Sequence, residues 1–219
     1  GKISAFAKGA RRPNSQFLAA ANPFVFGTFA LYEGRSSYNL NQVSISHHFV
    51  ELAGEQPGIY YGYYFLELAD YFGQEGIDEK ESMNLLYVTV KALLNSNIDD
   101  RLVRCIFELR MMAAQGLCPS LFHCVCCERQ LVEGEELFFS QQNHGILDKA
   151  CLGHVNDAKR ISAPALYAMQ YIVTASLGKL YTFTVTEEVL HELERHIHTY
   201  IAANTEKRFK SLEILEIMS

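Results

Sequence analysis

The sequence lacks long apolar runs and the short motifs that mark common nucleotide-binding and hydrolytic enzymes. A membrane-spanning helix needs about 18 to 20 apolar residues in a row, so we expect no span. The first residues do not show the charged and then apolar pattern of a secretory signal, so we expect no secretion. A G-x-S-x-G elbow, a Walker loop and a dinucleotide fingerprint are all missing. We therefore expect a cytoplasmic protein, and we predict no catalytic residues.

Acidic residues are scarce at the start of the chain. The first 50 residues hold five Lys or Arg and a single acid, Glu33, whereas the remaining 169 residues hold 14 basic and 24 acidic residues. The formal net charge of −6 is therefore unevenly distributed, because the first 50 residues are basic and the rest of the chain is acidic. Such a distribution indicates that contact with a polyanion is confined to the first 50 residues and a few local patches.

Four of the six cysteines stand close together in two groups separated by 23 residues. The first group reads Cys124-Val-Cys126-Cys127 and the second reads Cys151-Leu-Gly-His154. Read as C-x2-C and C-x2-H, they offer three thiolates and one imidazole, the closed tetrahedral set of a structural zinc site. Four protein ligands leave no position for a catalytic water, and the spacing also suits a reducing compartment. Cys126 could replace a neighbour, although C-x2-C geometry favours Cys124 and Cys127.

The hydrophobic periodicity changes from strand-like to helical along the chain, which predicts an α+β fold. Residues 1–50 read as three or four strands of a small antiparallel sheet or barrel that looks incomplete. A strand at 136–140 and a turn at 142–145 would bring the two cysteine groups together. We predict strands at 1–8, 17–32 and 37–49, and helices at 59–72, 79–94, 100–115, 162–178, 186–203 and 211–218.

The segment from Lys8 to Ser15 is the best candidate for contact with a polyanion. Its glycine and proline keep the backbone out of regular pairing, while Lys8, Arg11 and Arg12 supply three positive charges. Such a loop can grip phosphates without reading base sequence. A solvated loop without any ligand has the same composition, and composition alone leaves both readings open.

Five short segments, taken in order, resemble the RecO family of bacterial DNA repair proteins. The resemblance runs through the whole chain and implies an N-terminal OB-fold barrel, an α-helical domain and a zinc-binding insert in that domain. Family members begin about one and a half strands earlier, so we expect this barrel to be incomplete. The implied bounds are 1–53 for the barrel, 54–219 for the helical domain and about 118–158 for the insert. The segments are residues 1–12, Pro119-Ser-Leu121 before Cys124-x-x-Cys127, Phe139-Ser140, Cys151, and Arg208-Phe-Lys-Ser-Leu212.

The resemblance also implies a function. Proteins of this family bind single- and double-stranded DNA, anneal complementary strands and work with RecR to load RecA onto DNA coated by single-stranded DNA-binding protein. The resemblance implies that the chain is nucleoid-associated. It also implies that a structural Zn²⁺, bound by Cys124, Cys127, Cys151 and His154, stabilises the helical domain. The family often has cysteine where His154 stands. The DNA-binding residues would be Lys2, Lys8, Arg11 and Arg12.

The sequence leaves open which cations bind a partner protein and whether the chain binds DNA. Some relatives bind the acidic, Phe-ended tail of the single-stranded DNA-binding protein, and two groups of cations could hold the tail carboxylates. The first group is Arg101 and Arg104, and the second is Lys207, Arg208 and Lys210. The alternative function is a zinc-stabilised protein-interaction module without DNA affinity, and the oligomeric state is not predicted.

Overall fold

The computed structural model describes residues 1–35, 37–132 and 134–218, without the side chain of His154. The chain forms two compact units, Gly1–Leu94 together with the residues from Ser211 onward, and Asn95–Lys210. The described residues form two three-stranded sheets and six α-helices, which confirms the α+β class. No helix within the described ranges has the length and apolar character needed to cross a bilayer.

The sheet of the first unit is mixed, and the prediction of a purely antiparallel sheet was wrong. Its strands are β1 (Ala5–Phe6), β2 (Val25–Glu33) and β3 (Tyr38–His48), in the order β1-β3-β2. β2 pairs antiparallel with β3, whereas β1 pairs parallel with it, because residues 7–24 carry the chain from one edge of the sheet to the other. The described strands do not close into a barrel.

The prediction of a strand at 17–32 places the start of this strand too early, because the observed strand begins at Val25. Its first part is occupied by a short 3₁₀ helix at Ala19–Ala21, and Phe24 has a left-handed backbone with φ of 60°. Alanine has low strand propensity, and a left-handed residue interrupts an extended backbone, so pairing starts only at Val25.

Two helices pack in the same compact unit as this sheet. They are α1 (Gly58–Phe72) and α2 (Lys80–Ala92). The ring of Phe24 lies 5.2 Å from Tyr63 in α1, and the ring of Phe26 lies 5.1 Å from Tyr87 in α2. Aromatic contacts of this kind add to the free energy of burial. This compact unit therefore contains α1 and α2 as well as the sheet.

The second unit consists of a helical bundle and a small antiparallel sheet of order β5-β4-β6. The long helix α3 is buried along most of its length and packs against α4 and α5. Asp99 caps α3 by accepting a hydrogen bond from the Arg101 N–H, and Ser162 caps α4, which has Pro164 in its first turn. The elements are α3 (Asp100–Ala114), β4 (Leu137–Ser140), β5 (Gly145–Asp148), β6 (Lys159–Ile161), α4 (Ala163–Thr174) and α5 (Glu187–Asn204), and then α6 (Lys210–Met218) leads back to the first unit.

Candidate functional site

The first cysteine group lies in a tight turn that is attached to β5. The N–H of Cys124 donates to the carbonyl of Arg129 at 2.8 Å, and the N–H of Glu128 donates to the carbonyl of Cys124 at 2.9 Å. Glu128 closes the turn with a left-handed backbone, φ 59°. The N–H of Val125 donates to the carbonyl of Ile146 at 2.8 Å, so the turn is held against the strand.

The second group starts where β5 ends. A 3₁₀ helix covers Lys149–His154, and Asp148 caps it because its Oδ1 accepts a hydrogen bond from the N–H of Cys151 at 3.0 Å. At the other end of β5, a Cβ on Gly145 would lie 2.5 Å from the carbonyl oxygen of Ser120. Only glycine allows this close backbone approach, which brings residues 120–129 alongside β5.

Four side chains converge between these two segments. The ligand atoms of Cys124, Cys127, Asp148 and Cys151 all lie within 4.8 Å of one another. Two thiolates on one tetrahedral zinc ion are about 3.8 Å apart, given a Zn–S distance of about 2.3 Å, so this set fits a zinc ion. Cys126 is exposed and lies outside the cluster, in agreement with the spacing argument.

Asp148 is the electrostatic centre of the cluster. Burial raises the pKa of its carboxyl, but hydrogen bonds from Cys127, Cys151 and Arg129 outweigh this effect and leave the pKa at about 2. Its Oδ2 lies 3.3 Å from both the Cys127 sulfur and Nη2 of Arg129. Glu135 holds the same guanidinium through two bonds of 3.1 and 2.8 Å. The carboxylate is therefore ionised at neutral pH and fixed in direction.

The sequence prediction did not include Asp148, which the structure adds to the cluster. The prediction of His154 stays untested, because its side chain lies outside the described residues. The spacing Asp148-x2-Cys151 repeats that of Cys124-x2-Cys127, which is the signal that could have found it. The two cysteines outside both groups differ, since Cys105 is buried and Cys118 is exposed.

The segment from Lys8 to Ser15, called the basic loop below, is an ordered series of turns. The N–H of Ala10 donates to the carbonyl of Ala7 at 3.2 Å, and the N–H of Arg12 donates to the carbonyl of Gly9 at 3.0 Å. Gly9 adopts φ of 76°, a conformation that glycine reaches without steric strain. Ala10 and Phe17 are buried and anchor the loop in the first unit.

The predicted phosphate-binding side chains differ in their environment. Lys8, Arg11 and Arg12 are exposed, and none of the ion pairs among the described residues involves them. The Nζ of Lys2 instead lies 2.8 Å from a carboxylate oxygen of Asp70 in α1. Lys2 thus ties the start of the chain to α1, and the loop presents the three unpaired cations.

The two groups of cations predicted to bind the tail of the single-stranded DNA-binding protein also differ in their contacts. Nη2 of Arg101 pairs with Asp99 at 2.7 Å and its Nη1 pairs with Glu187 at 2.8 Å, while Nε of Arg104 pairs with the buried Glu108 at 2.8 Å. The hydrogen bonds to Glu187 and Asp99 raise the pKa of Arg101 further above its usual value. Both guanidinium groups are therefore engaged by carboxylates inside the second unit.

The second alternative is a surface cluster at the end of the second unit. Lys207, Arg208 and Lys210 are exposed, while Phe209 between them is buried. The ammonium of Lys207 lies 5.7 Å from the centroid of the Phe209 ring. The buried ring anchors the backbone here, while the three neighbouring cations are exposed.

The chain is similar to known proteins over nearly its whole length. Residues 1–49 match the family model "Recombination protein O N terminal", and residues 58–213 match "Recombination protein O C terminal". The DNA repair protein RecO of Alkaliphilus metalliredigens is 30% identical over 98% of this chain and 87% of its own length. RecO of Symbiobacterium thermophilum is 30% identical over 100% of this chain and 87% of its own length. The chain therefore belongs to the RecO family of DNA repair and recombination proteins.

Proposed function

We propose that this chain is a non-enzymatic recombination mediator. In this proposal it binds single- and double-stranded DNA, anneals complementary strands and acts with RecR to load RecA onto DNA coated by single-stranded DNA-binding protein. Such a protein works in the cytoplasm at the nucleoid. Family membership supports the class, and the basic loop is the observation that carries the DNA-binding part.

The loop suits phosphate binding because its cations are exposed and unpaired while its backbone is anchored. Ala10 and Phe17 are buried, so ordering the loop on DNA costs little conformational entropy. Lys8, Arg11 and Arg12 can each neutralise one phosphate and release its counterions. Phosphate contacts carry no base information, so the loop is expected to bind any sequence.

Annealing needs no bond chemistry in the protein. Two complementary strands repel each other through their phosphates, and a cationic surface that binds both lowers this repulsion. Base pairing then supplies the specificity. We propose the OB-like sheet of the first unit as the support for this surface, with Lys2 holding the start of the chain against α1 rather than contacting phosphate.

We propose that one structural zinc ion stabilises the second unit. The insert connects α3 to α4 through short strands and turns, and a metal that joins residues 124–127 to residues 148–151 closes this excursion. The ion would supply a cross-link and no catalysis, because four protein ligands leave no open position.

The experiment for the DNA-binding part measures annealing of complementary oligonucleotides by the purified chain. Replacing Lys8, Arg11 and Arg12 together by Glu is expected to slow annealing at least about tenfold, since three phosphate contacts are lost. The matched control replaces Lys207, Arg208 and Lys210 by Glu, which gives the same change in charge in the other unit. Equal annealing by the loop variant and the unaltered chain would place the DNA surface outside the loop. An unaltered chain that does not speed annealing would favour the interaction module without DNA affinity.

For the tail of the single-stranded DNA-binding protein, we propose Lys207, Arg208 and Lys210 rather than Arg101 and Arg104. The first group is exposed, whereas the second is held by carboxylates of its own unit. A fluorescent tail peptide titrated at low salt should bind the unaltered chain and lose at least about tenfold in affinity when Lys207 and Arg208 become Glu. Retained affinity in this variant would favour Arg101 and Arg104 as the residues that bind the tail.

A further inference from the structure

We propose that Asp148, rather than His154, is the fourth ligand of the zinc ion. The inference rests on the zinc site proposed above and concerns which side chain completes it. The site would then be a C-x2-C pair followed by a D-x2-C pair, with three sulfur ligands and one oxygen ligand.

The distances around Asp148 match those of a ligand. With Zn–S near 2.3 Å and Zn–O near 2.1 Å, a tetrahedral ion places a sulfur and an oxygen ligand about 3.6 Å apart. The Cys127 sulfur and Oδ2 of Asp148 are 3.3 Å apart, and Cys127 donates its thiol hydrogen to that oxygen. Zinc displaces thiol protons on binding, so both atoms can turn from this hydrogen bond to the ion with little movement.

The backbone also prepares Asp148 for this role. Oδ1 accepts the N–H of Cys151, so the carboxylate and the Cys151 thiol are held on the same side of the 3₁₀ helix. Asp148 ends β5, and Val125 is bonded to β5 through Ile146. The fourth ligand therefore sits on a strand that is already attached to the Cys124–Cys127 turn.

The charge balance around Asp148 agrees with coordination. Three thiolates, one carboxylate and Zn²⁺ sum to a charge of −2, and a nearby cation stabilises such a concentration of negative charge. Nη2 of Arg129 lies 3.3 Å from Oδ2 of Asp148, and Glu135 holds the guanidinium on its other side. Arg129 is thus a positioning residue, an outer partner that orients a ligand in the way seen around many metal sites.

A rival role for Asp148 is purely structural. The carboxylate would cap the 3₁₀ helix and pair with Arg129, and the imidazole of His154 would complete the metal site. The two roles differ in the atoms bound to zinc. Oxygen ligation leaves no ring in the outer shells, whereas imidazole ligation adds carbon and nitrogen atoms behind the bound nitrogen.

The test is zinc stoichiometry and zinc-edge X-ray absorption of the full chain and two variants. The unaltered chain should hold about one zinc with three sulfur ligands, one oxygen ligand and no imidazole pattern. Asp148→Cys should keep the zinc and change the shell to four sulfurs, which also guards against a variant that merely fails to fold. His154→Gln should leave the spectrum unchanged.

Two results would overturn the inference, and they are distinguishable. An imidazole pattern in the unaltered chain that disappears in His154→Gln would reject Asp148 as the ligand and leave the zinc proposal intact. Less than about half an equivalent of zinc in the freshly purified chain, with no other metal, would reject the zinc proposal and this inference together.

Discussion

Glu128 closes the Cys124–Cys127 turn in a conformation that suits glycine better than glutamate. Its φ of 59° brings Cβ close to the backbone, which costs a non-glycine residue about 1 to 2 kcal/mol. We predict that Glu128→Gly raises the free energy of unfolding by roughly 1 kcal/mol, although glycine loses more backbone entropy on folding. Urea denaturation of the zinc-loaded chain measures this as a higher midpoint with an unchanged slope.

Glu128→Ala is the matched control at the same residue. It removes the same carboxylate but keeps Cβ, so the steric cost of the left-handed backbone remains. We expect the midpoint for Ala to stay below that for Gly. If both variants shift the midpoint by the same amount, the gain comes from the lost charge and the backbone argument is wrong.

At the scale of elements, the insert between α3 and α4 is held by its strand pairing, by backbone hydrogen bonds between residues 120–125 and β5, and by the proposed metal. Ser120 and Val125 are bonded to β5, but the 3₁₀ helix at Lys149–His154 is linked to the Cys124–Cys127 turn mainly through the cysteine and Asp148 side chains. We predict that a zinc chelator raises amide hydrogen exchange at 124–129 and 148–154 by at least about tenfold, with α3 changing little. Uniform loosening of α3 and the insert would mean that the metal supports the whole second unit instead.

The helices could be read from the sequence because their signals are local. The caps at Asp99 and Ser162 lie next to the residues that they satisfy, and Leu102, Ile106 and Leu109 recur at helical spacing and are all buried in α3. The start of α2 also has a local signal, since the N–H of Lys80, its first residue, donates to Asp78 at 3.0 Å.

The features that could not be read depend on contacts between distant residues. The parallel pairing of β1 follows from the path of residues 7–24 across the sheet, which no strand period records. Asp148 was not named because its spacing to Cys151 is a weak signal of metal binding until the fold places the carboxylate beside Cys127 and Cys151. The three cysteines were found because their spacing is itself a local signal.

On the scale of the whole molecule, we propose different roles for the two compact units. The first unit carries the basic loop proposed for DNA, and the second carries the metal cluster and the surface cations proposed for a protein partner. The excess of acidic residues after residue 50 keeps other surfaces from competing for phosphate. The central claim is therefore that Lys8, Arg11 and Arg12 bind DNA phosphates.

The most direct test is the salt dependence of DNA affinity, measured by fluorescence anisotropy on single-stranded and duplex oligonucleotides of several sequences. Each lost phosphate contact lowers the slope of log affinity against log salt by about 0.7 to 0.9, so the loop triple Glu variant should lose up to roughly two to three units. The loss should be the same for every sequence, and the control variant at Lys207, Arg208 and Lys210 should keep its slope. A loop variant with an unchanged slope would contradict the account, and a flattened slope in the control would place the DNA surface on the second unit.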